Sequence, residues 1–403
     1  MAKIFDAAVV GGGAAGLMAA IPAARRDRSV VILERMPRLG KKLLITGGGR
    51  CNLVNEVLEP AAYHSTSAGL VAAVLGRLGS QSIRLFFKGL GLETIAESDG
   101  RVFPATNQAA SVLRVLEMEL AVRGVAVELN FDVVRLGFER EGFIIEARDG
   151  RKMRSRTVVL AGGGKSYPAL GSNGSIYPLA EAFGHRLVPP APSAVPLLVK
   201  DRLCHLLQGQ KIRARATALV DGTARETADG DALFTAYGLS GTAILDASES
   251  LSLALHRETG RRTEIELDLV PFLGPGPLAA EFAARLRSGW AVADLVSGIL
   301  PEKFRIMIGD VLPAKSPDPE AGAAVLASAL KNKRFAVQGT RGWNEAEFTT
   351  GGIDAREVDP ATMQSRLRKG LYLTGEMLDV QGKRGGYNLA WAWASGHTAG
   401  ESI

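Results

Sequence analysis

Gly11-Gly12-Gly13-Ala14-Ala15-Gly16 carries the spacing G-x-G-x-x-G between an apolar run, IFDAAVV, and an alanine-rich one. In that setting the glycines suit a dinucleotide. Gly11 permits a tight turn, Gly13 lets backbone reach a pyrophosphate, and Gly16 lets a helix lie close on a strand. A helix opened by Ala14 and Ala15 would aim free amides and the positive end of its dipole at the phosphates. Glu34 ends the next apolar run, SVVILE, 23 positions beyond Gly11, where a carboxylate accepts hydrogen bonds from a ribose. A plain glycine turn of an α/β protein gives no reason for that acid.

Three other segments have the composition of a ligand site. In Lys41-Lys42-Leu-Leu-Ile-Thr-Gly47-Gly48-Gly49-Arg50-Cys51-Asn52, the glycines bring amides to an anion or a ring, and Arg50 adds fixed charge. Cys51 has no second cysteine near it, so packing is the better reading than thiol redox chemistry. Ala161-Gly162-Gly163-Gly164 ends an apolar run, and glycines at a strand end allow close approach of a ligand. Near the C-terminus, Gly370-Leu-Tyr-Leu-Thr-Gly375-Glu376 reads as a strand ending in glycine and an acid. Gly385-Gly386-Tyr387-Asn388 then opens a helix. An N-terminal fold of this kind serves NAD and FAD alike. FAD is favoured because no second G-x-G-x-x-G has the strand and helix context of a nicotinamide domain. A strand-end acid can also hold a ribityl chain, and a helix N-terminus can stabilise negative charge on reduced flavin.

These segments need a strand, a turn, a helix to about Arg26 and a second strand at the start of the chain. Apolar spacing predicts a helix over 108–123 that stops at Gly124. VAVELNF, FIIEARDG and TVVLAGGG predict a small meander returning to the main sheet. The proline-rich stretch 189–196 reads as a linker. Beyond it, KIRARATALV and TEIELDLV alternate as half-buried strands, and 278–332 is expected to be mostly helical in LAAEFAARLRSG, AVADLVSGIL and AGAAVLASALKN. The expected layout is a nucleotide-binding domain from 1–190 and 346–403. Its insertion, 191–345, divides into strands to about 270 and helices from about 271.

Composition narrows the class further. The 403 residues, 46% hydrophobic, suffice for more than one core. The glycines cluster without a period of three, which excludes collagen and low-complexity chains. Two distant cysteines and five scattered histidines argue against a disulfide framework or a zinc site and for a reducing, cytoplasmic setting. Residues 7–24 carry no charge, but three glycines and Pro22 suit a membrane helix poorly, so no membrane is expected. The net charge of +6 is densest between Arg25 and Arg50, a solvated face or one that holds phosphates.

GKKLLITGGGRCNLVN, AGGGKSYPALGSNG, FTAYGLSGTAIL and GLYLTGEMLDVQGKRGGYNLAWAWASG together resemble the BaiN-like bacterial flavoproteins over nearly the whole chain. The resemblance implies an α/β fold: a glutathione-reductase-type, Rossmann-like FAD domain with an inserted antiparallel β-barrel-like unit and a small helical unit. It implies that Gly11, Gly13, Gly16, Glu34, Arg35, Lys42, Gly48, Arg50, Asn52, Gly163, Gly375, Glu376, Asn388 and Leu389 line the FAD site, and the glycine motifs add Ala14, Ala15, Gly162 and Gly386 to that expectation. The chain departs from the family pattern in three places. Ala236 and Thr242 stand where the family has histidine and proline, and Ser175 stands where it has aspartate.

The leading functional reading is an FAD-dependent oxidoreductase in which the flavin performs hydride transfer. The resemblance implies reduction of an activated carbon–carbon double bond in a small conjugated 3-oxo steroid-type acid, with NAD(P)H as transient electron donor. Tyr237 and Tyr387 could supply the proton or pack beside a ring, and no catalytic residue is assigned. An alternative places the double bond in a uridine of ribosomal RNA. Lys211, Arg213 and Arg215 alternate along a strand and so share a face that could meet phosphates. A third reading, motivated by the altered FTAYGLSGT loop, is a flavin-binding sensor without turnover.

Overall fold

The computed structural model describes residues 3–139, 142–258, 260–313 and 318–403. The chain forms two compact units. The first comprises the chain up to Pro190 together with Phe348–Ile403, and the second comprises Ala191–Glu347. Each has its own cluster of buried apolar side chains.

The principal elements of the first unit are, in chain order, β1 (Ile4–Val10), α1 (Ala14–Arg25), β2 (Val30–Leu33), α2 (Ala109–Val122), β3 (Ala126–Glu128), β4 (Val133–Glu139), β5 (Gly142–Ala147), β6 (Lys152–Leu160), β7 (Leu371–Leu373) and α3 (Tyr387–Glu401). The sheet order is β3-β2-β1-β6-β5-β4, and β7 lies against the C-terminal part of β6. β3, β2, β1, β6 and β7 are parallel, whereas β5 and β4 form an antiparallel meander. Parallel strands are covered on both faces, which is why β2 reads as the unbroken apolar run VVIL and is buried throughout.

The register sets the level of the strand ends. Val10 pairs with Leu33 and with Leu160, and Leu160 pairs with Leu373, so four adjacent parallel strands stop on one row. Gly11, Glu34, Ala161 and Thr374 each follow that row by one residue. Two helices then lock the chain ends together. A Cβ added at Gly396 of α3 would strike the carbonyl oxygen of Ala15 in α1, and one at Gly400 would strike that of Ala19. Small residues four apart on both helices let the backbones touch. Trp391 and Trp393, both buried, donate from Nε1 to the carbonyl oxygens of Gly375 and Leu53 at 3.0 Å each.

Two expectations for this unit are corrected. VAVELNF is not part of the meander: its Ala126–Glu128 is β3, parallel to β2 at the sheet edge. The meander instead uses 133–139, whose alternation is broken by a register shift after Val133. The proline-rich stretch is not a free linker, because Leu187–Ser193 is a strand. Proline fixes φ at a value that extended backbone tolerates wherever its missing N–H is not needed.

Asp354 ties down the start of the short turn Ala355–Glu357. Its carboxylate accepts from the Arg356 amide at 3.0 Å and from Arg356 Nε at 2.9 Å. These bonds to Arg356 hold its pKa down at about 2 against an ordinary 3.8. The unfolded chain takes up that proton first, so the pair's contribution is complete above the ordinary value and is lost as pH falls from 3.8 to about 2. Asp354→Asn should flatten the acid dependence of stability in that window. Denaturant melts at stepped pH check this, and an identical wild-type profile in the variant would show that the pair contributes nothing.

The second unit is built on one antiparallel sheet in the order Lys333–Ala336, Thr263–Asp268, Lys211–Val220, Thr223–Thr235, Gly238–Ser240, Leu197–Leu198, Gly339–Thr340. Its two edge strands are joined by Val337 and Gln338 alone. The Val337 amide donates to Thr263 O at 2.9 Å on one edge, and the next amide, of Gln338, donates to Leu198 O at 3.0 Å on the other. Two residues span only about 7 Å, so the sheet must curl until its edges meet, as the barrel-like expectation requires. The expected alternation holds in Lys211–Val220, whose first six residues alternate exposed and buried.

Three elements of this unit differ from the sequence reading. Helix Thr242–Arg257 lies within the stretch assigned to strands, and it buries Ala243, Ile244, Ala247, Leu251 and Ala254 at three-to-four spacing. AVADLVSGIL forms only a 3-10 turn, Val292–Asp294, because Gly298 takes positive φ soon after. After helices Pro275–Arg287 and Pro319–Lys331, the chain re-enters the sheet at Lys333.

Candidate cofactor site

The glycine loop after β1 excludes a side chain at Gly11 and Gly16 for steric reasons. Gly11 has φ +109°, and a Cβ there would lie 2.5 Å from Ala161 O. A Cβ on Gly16 would strike Gly11 O. A Cβ on Gly13, by contrast, would meet no atom within 4 Å. Gly13 precedes α1 and, as a glycine, gives the amides opening the helix at Ala14 and Ala15 no side-chain cap. Gly12 N donates to Glu34 Oε2 at 2.7 Å, and Met36 N donates to Oε1 at 2.8 Å. Glu34 is buried, and burial outweighs those two donors to raise its pKa above the ordinary glutamate value. Each oxygen keeps a lone pair for a further donor. Arg35 donates to Ser175 Oγ at 3.1 Å and lies 3.6 Å from Asp132.

Lys42 and Glu376, 334 positions apart, meet at 2.7 Å through Nζ and Oε2. Lys42 Nζ also donates to Ser166 Oγ at 2.6 Å, and that hydroxyl donates to Glu376 Oε1 at 2.9 Å. Thr349 N donates to the same Oε1 at 3.0 Å. The Thr349 hydroxyl accepts from Lys165 N at 2.7 Å and Ser166 N at 3.2 Å. Gly163 and Gly164 let this cluster form. A Cβ on Gly164 would strike Thr349 Oγ1, and one on Gly163 would come within 2.9 Å of Ser172 Oγ. Gly162 packs against Ile176 instead. Ser166 and Thr349 were not anticipated from sequence. A hydroxyl two positions after the glycine run, in GGGKS, was the only available sign of Ser166.

Between Lys42 and Asn52 the backbone turns through Gly47, Gly48, Gly49 and Cys51, all at positive φ. Gly48 would give a Cβ open space. Asn52 Oδ1 is buried with no hydrogen-bond partner among the described residues. Burial pushes the Cys51 thiol up to about 12, so it stays protonated and packs as an apolar group. Arg50 is engaged elsewhere: its guanidinium stacks 3.9 Å above the Phe103 ring and donates to Glu97 at 2.9 Å.

Gly375 has φ +72° and stands against Ala15, 2.8 Å from its Cβ if it carried one. Gly386, at φ +101°, precedes α3 without a side-chain cap, and a Cβ there would press on the Val54 carbonyl carbon at 2.5 Å. The Asn388 side chain is spent on Gly382, accepting from its N at 2.9 Å and donating to its O at 2.7 Å. Leu389 is partly buried and packs against the core of the first unit. Tyr387 packs edge-on to Tyr63, centroids 5.8 Å apart, and accepts at its carbonyl from the Tyr63 hydroxyl at 2.9 Å. Tyr237 belongs to the second unit, where Arg341 lies 4.6 Å above its ring. Beside it Ala236 is exposed at the hairpin tip. Thr242 accepts from Asp231 N at 2.8 Å through its hydroxyl.

These residues fit a flavin dinucleotide. Two helix N-termini lack side-chain caps, two glycines face open space, and a buried amide oxygen lacks a partner among the described residues; the first of those helices, α1, follows the row of strand ends. Ligands of open parallel sheets bind there. Among the described residues no three His, Cys, Asp or Glu side chains group as metal ligands, and no single helix is long and apolar enough to cross a membrane.

The fold is that of a Rossmann-type FAD-dependent oxidoreductase. The chain matches the HI0933-like protein Rossmann domain family over residues 5–402 and belongs to that family. It is 37% identical over 404 residues, 98% of each chain, to the 3-dehydro-bile acid delta(4,6)-reductase of Clostridium scindens. It is 30% identical over 412 residues to the ribosomal RNA dihydrouridine synthase of Escherichia coli, covering 99% of this chain and 98% of that one. The crystal structure of 3-ketosteroid delta1-dehydrogenase from Sterolibacterium denitrificans shares the fold, with a TM-score of 0.52 at 14% identity and 99% coverage of both chains.

Proposed function

We propose that this enzyme reduces a carbon–carbon double bond conjugated to a carbonyl in a small, largely apolar acid of the 3-oxo steroid type, using NAD(P)H. The balance is one enone, one NAD(P)H and one proton giving the saturated ketone and NAD(P)+. End-to-end similarity to the Clostridium scindens reductase carries this reading. FAD, when bound, supplies hydride transfer. The chain's residues would hold it. Gly11, Gly13, Ala14, Ala15 and Gly16 would face the pyrophosphate and Glu34 the ribose, with Arg35 alongside. Lys42, Gly48, Arg50, Asn52, Gly162, Gly163, Gly375, Glu376, Gly386, Asn388 and Leu389 would line the remainder. Tyr387, whose pKa burial raises, keeps its proton at neutral pH and can serve as a donor.

The charge pattern of the second unit supports a small molecule over RNA. Arg215 is held bidentate by Asp229 at 2.9 and 3.1 Å, and Lys211 pairs with Asp231 at 3.3 Å. Two of the three cations on that strand face are thus already neutralised, where binding to phosphates needs free ones.

Anaerobic spectroscopy tests the reading. Reduced nicotinamide should bleach the flavin, and a conjugated 3-oxo steroid acid should restore its colour and appear as saturated product. Recovery only with unmodified ribosomal RNA, with dihydrouridine formed, would replace the substrate. A flavin that neither NADH nor NADPH bleaches would overturn the donor.

A further inference from the structure

The loop Gly171-Ser172-Asn173-Gly174-Ser175 packs between the residues that follow β2 and the glycine turn after β6. A Cβ on Gly171 would lie 3.0 Å from Met36 Cγ and 3.9 Å from Glu34 Oε1. Gly174 N donates to Gly164 O at 3.0 Å. Ser175 Oγ accepts from Arg35, and Asn173 Oδ1 accepts from Ser175 N at 3.1 Å. Every polar side chain of the loop is therefore accounted for except one. Ser172 is 6% exposed, stands against Gly163, and its hydroxyl has no hydrogen-bond partner among the described residues. An unmade bond of a buried hydroxyl is costly, and such groups in native proteins normally have a partner.

We infer that the missing partner is the cofactor: Ser172 Oγ donates a hydrogen bond to the adenosine diphosphate half of FAD, at a pyrophosphate or ribose oxygen. The inference rests on the reading of the first unit as an FAD site with Glu34 at the ribose. The location follows from the loop, which sets Ser172 between Glu34 and Gly163. The residue is absent from the set that the glycine and acid motifs mark, because a lone serine in a turn has no pattern of its own.

Deflavinated Ser172→Ala protein, titrated with FAD, ADP and riboflavin, tests it. FAD and ADP should each bind about tenfold more weakly, the loss expected of one bond to a charged or polar ligand. Riboflavin binding should not change. The melting temperature of the ligand-free variant should equal or exceed that of wild type, since the deleted hydroxyl has no partner among the described residues. Ser172→Cys, which keeps the volume with a weak donor, should follow the same pattern and guards against a packing effect. Unchanged FAD affinity in both variants would overturn the inference and leave the FAD site standing. A fall in ligand-free stability with riboflavin equally weakened would make Ser172 a structural residue. Wild-type protein that takes up no FAD would overturn both readings.

Discussion

A Gly396→Val protein should lose its flavin and about 3 kcal/mol of stability, the upper part of the usual range for forcing atoms into a packed core. The Cβ at this position would sit on Ala15 O, a backbone atom that no rotamer change can move aside. Replacing a helical glycine contributes only about 0.5 kcal/mol of helix propensity in return for valine, so the clash decides the sign. The damage should reach the site because α1 and α3 both begin there. Pushing them apart separates the Gly11–Gly16 turn from Gly375, which itself packs on Ala15. Guanidinium melts and the flavin absorbance of the purified variant check this together. A Gly396→Val protein as stable and as yellow as wild type would mean that the two helices do not touch as described.

Lys42→Met should weaken FAD binding by tens-fold, and Glu376→Gln in the same chain should restore much of it. Removing one partner of a buried ion pair costs about 3–5 kcal/mol. The Lys42 and Glu376 side chains are 23% and 21% exposed, so solvent screens that to about 2 kcal/mol, a factor of about thirty. The single variant leaves a carboxylate uncompensated in the site proposed for FAD, whose pyrophosphate is also negative. Ser166 and Thr349 N still bond to Glu376 Oε1, and a glutamine oxygen can keep accepting from them. Titration of the four deflavinated proteins with FAD gives the coupling. Additive losses would mean that Lys42 acts on FAD itself and not through Glu376.

Much of the first unit was legible because its signals are local. Gly11, Gly13 and Gly16 serve a turn and its helix within six residues, and Glu34 follows from the length of one helix and one strand. The periodicities of Ala109–Val122 and Lys211–Val220 likewise record which face of each element is buried. Helix Thr242–Arg257 carried the same kind of signal and was missed only because strands flank it.

The remainder depended on register and on contacts between distant residues. VAVELNF could have joined the meander or the parallel edge, and its pairing with β2 decided the matter. That 187–193 would be a strand could not be read from its prolines, which are compatible with a linker as well. The closure of the second unit's sheet depended on two adjacent amides finding opposite edges. The sequence by itself determined the class of cofactor, because the glycines and Glu34 answer steric and hydrogen-bonding demands set by neighbours in the chain. Only the tertiary structure decided that Lys42, Ser166, Thr349 and Glu376 form one cluster and that Ser172 lies buried without a partner among the described residues. Those properties arise from four strand ends aligned on one row, and no residue records in its own neighbourhood where a strand hundreds of positions away will stop.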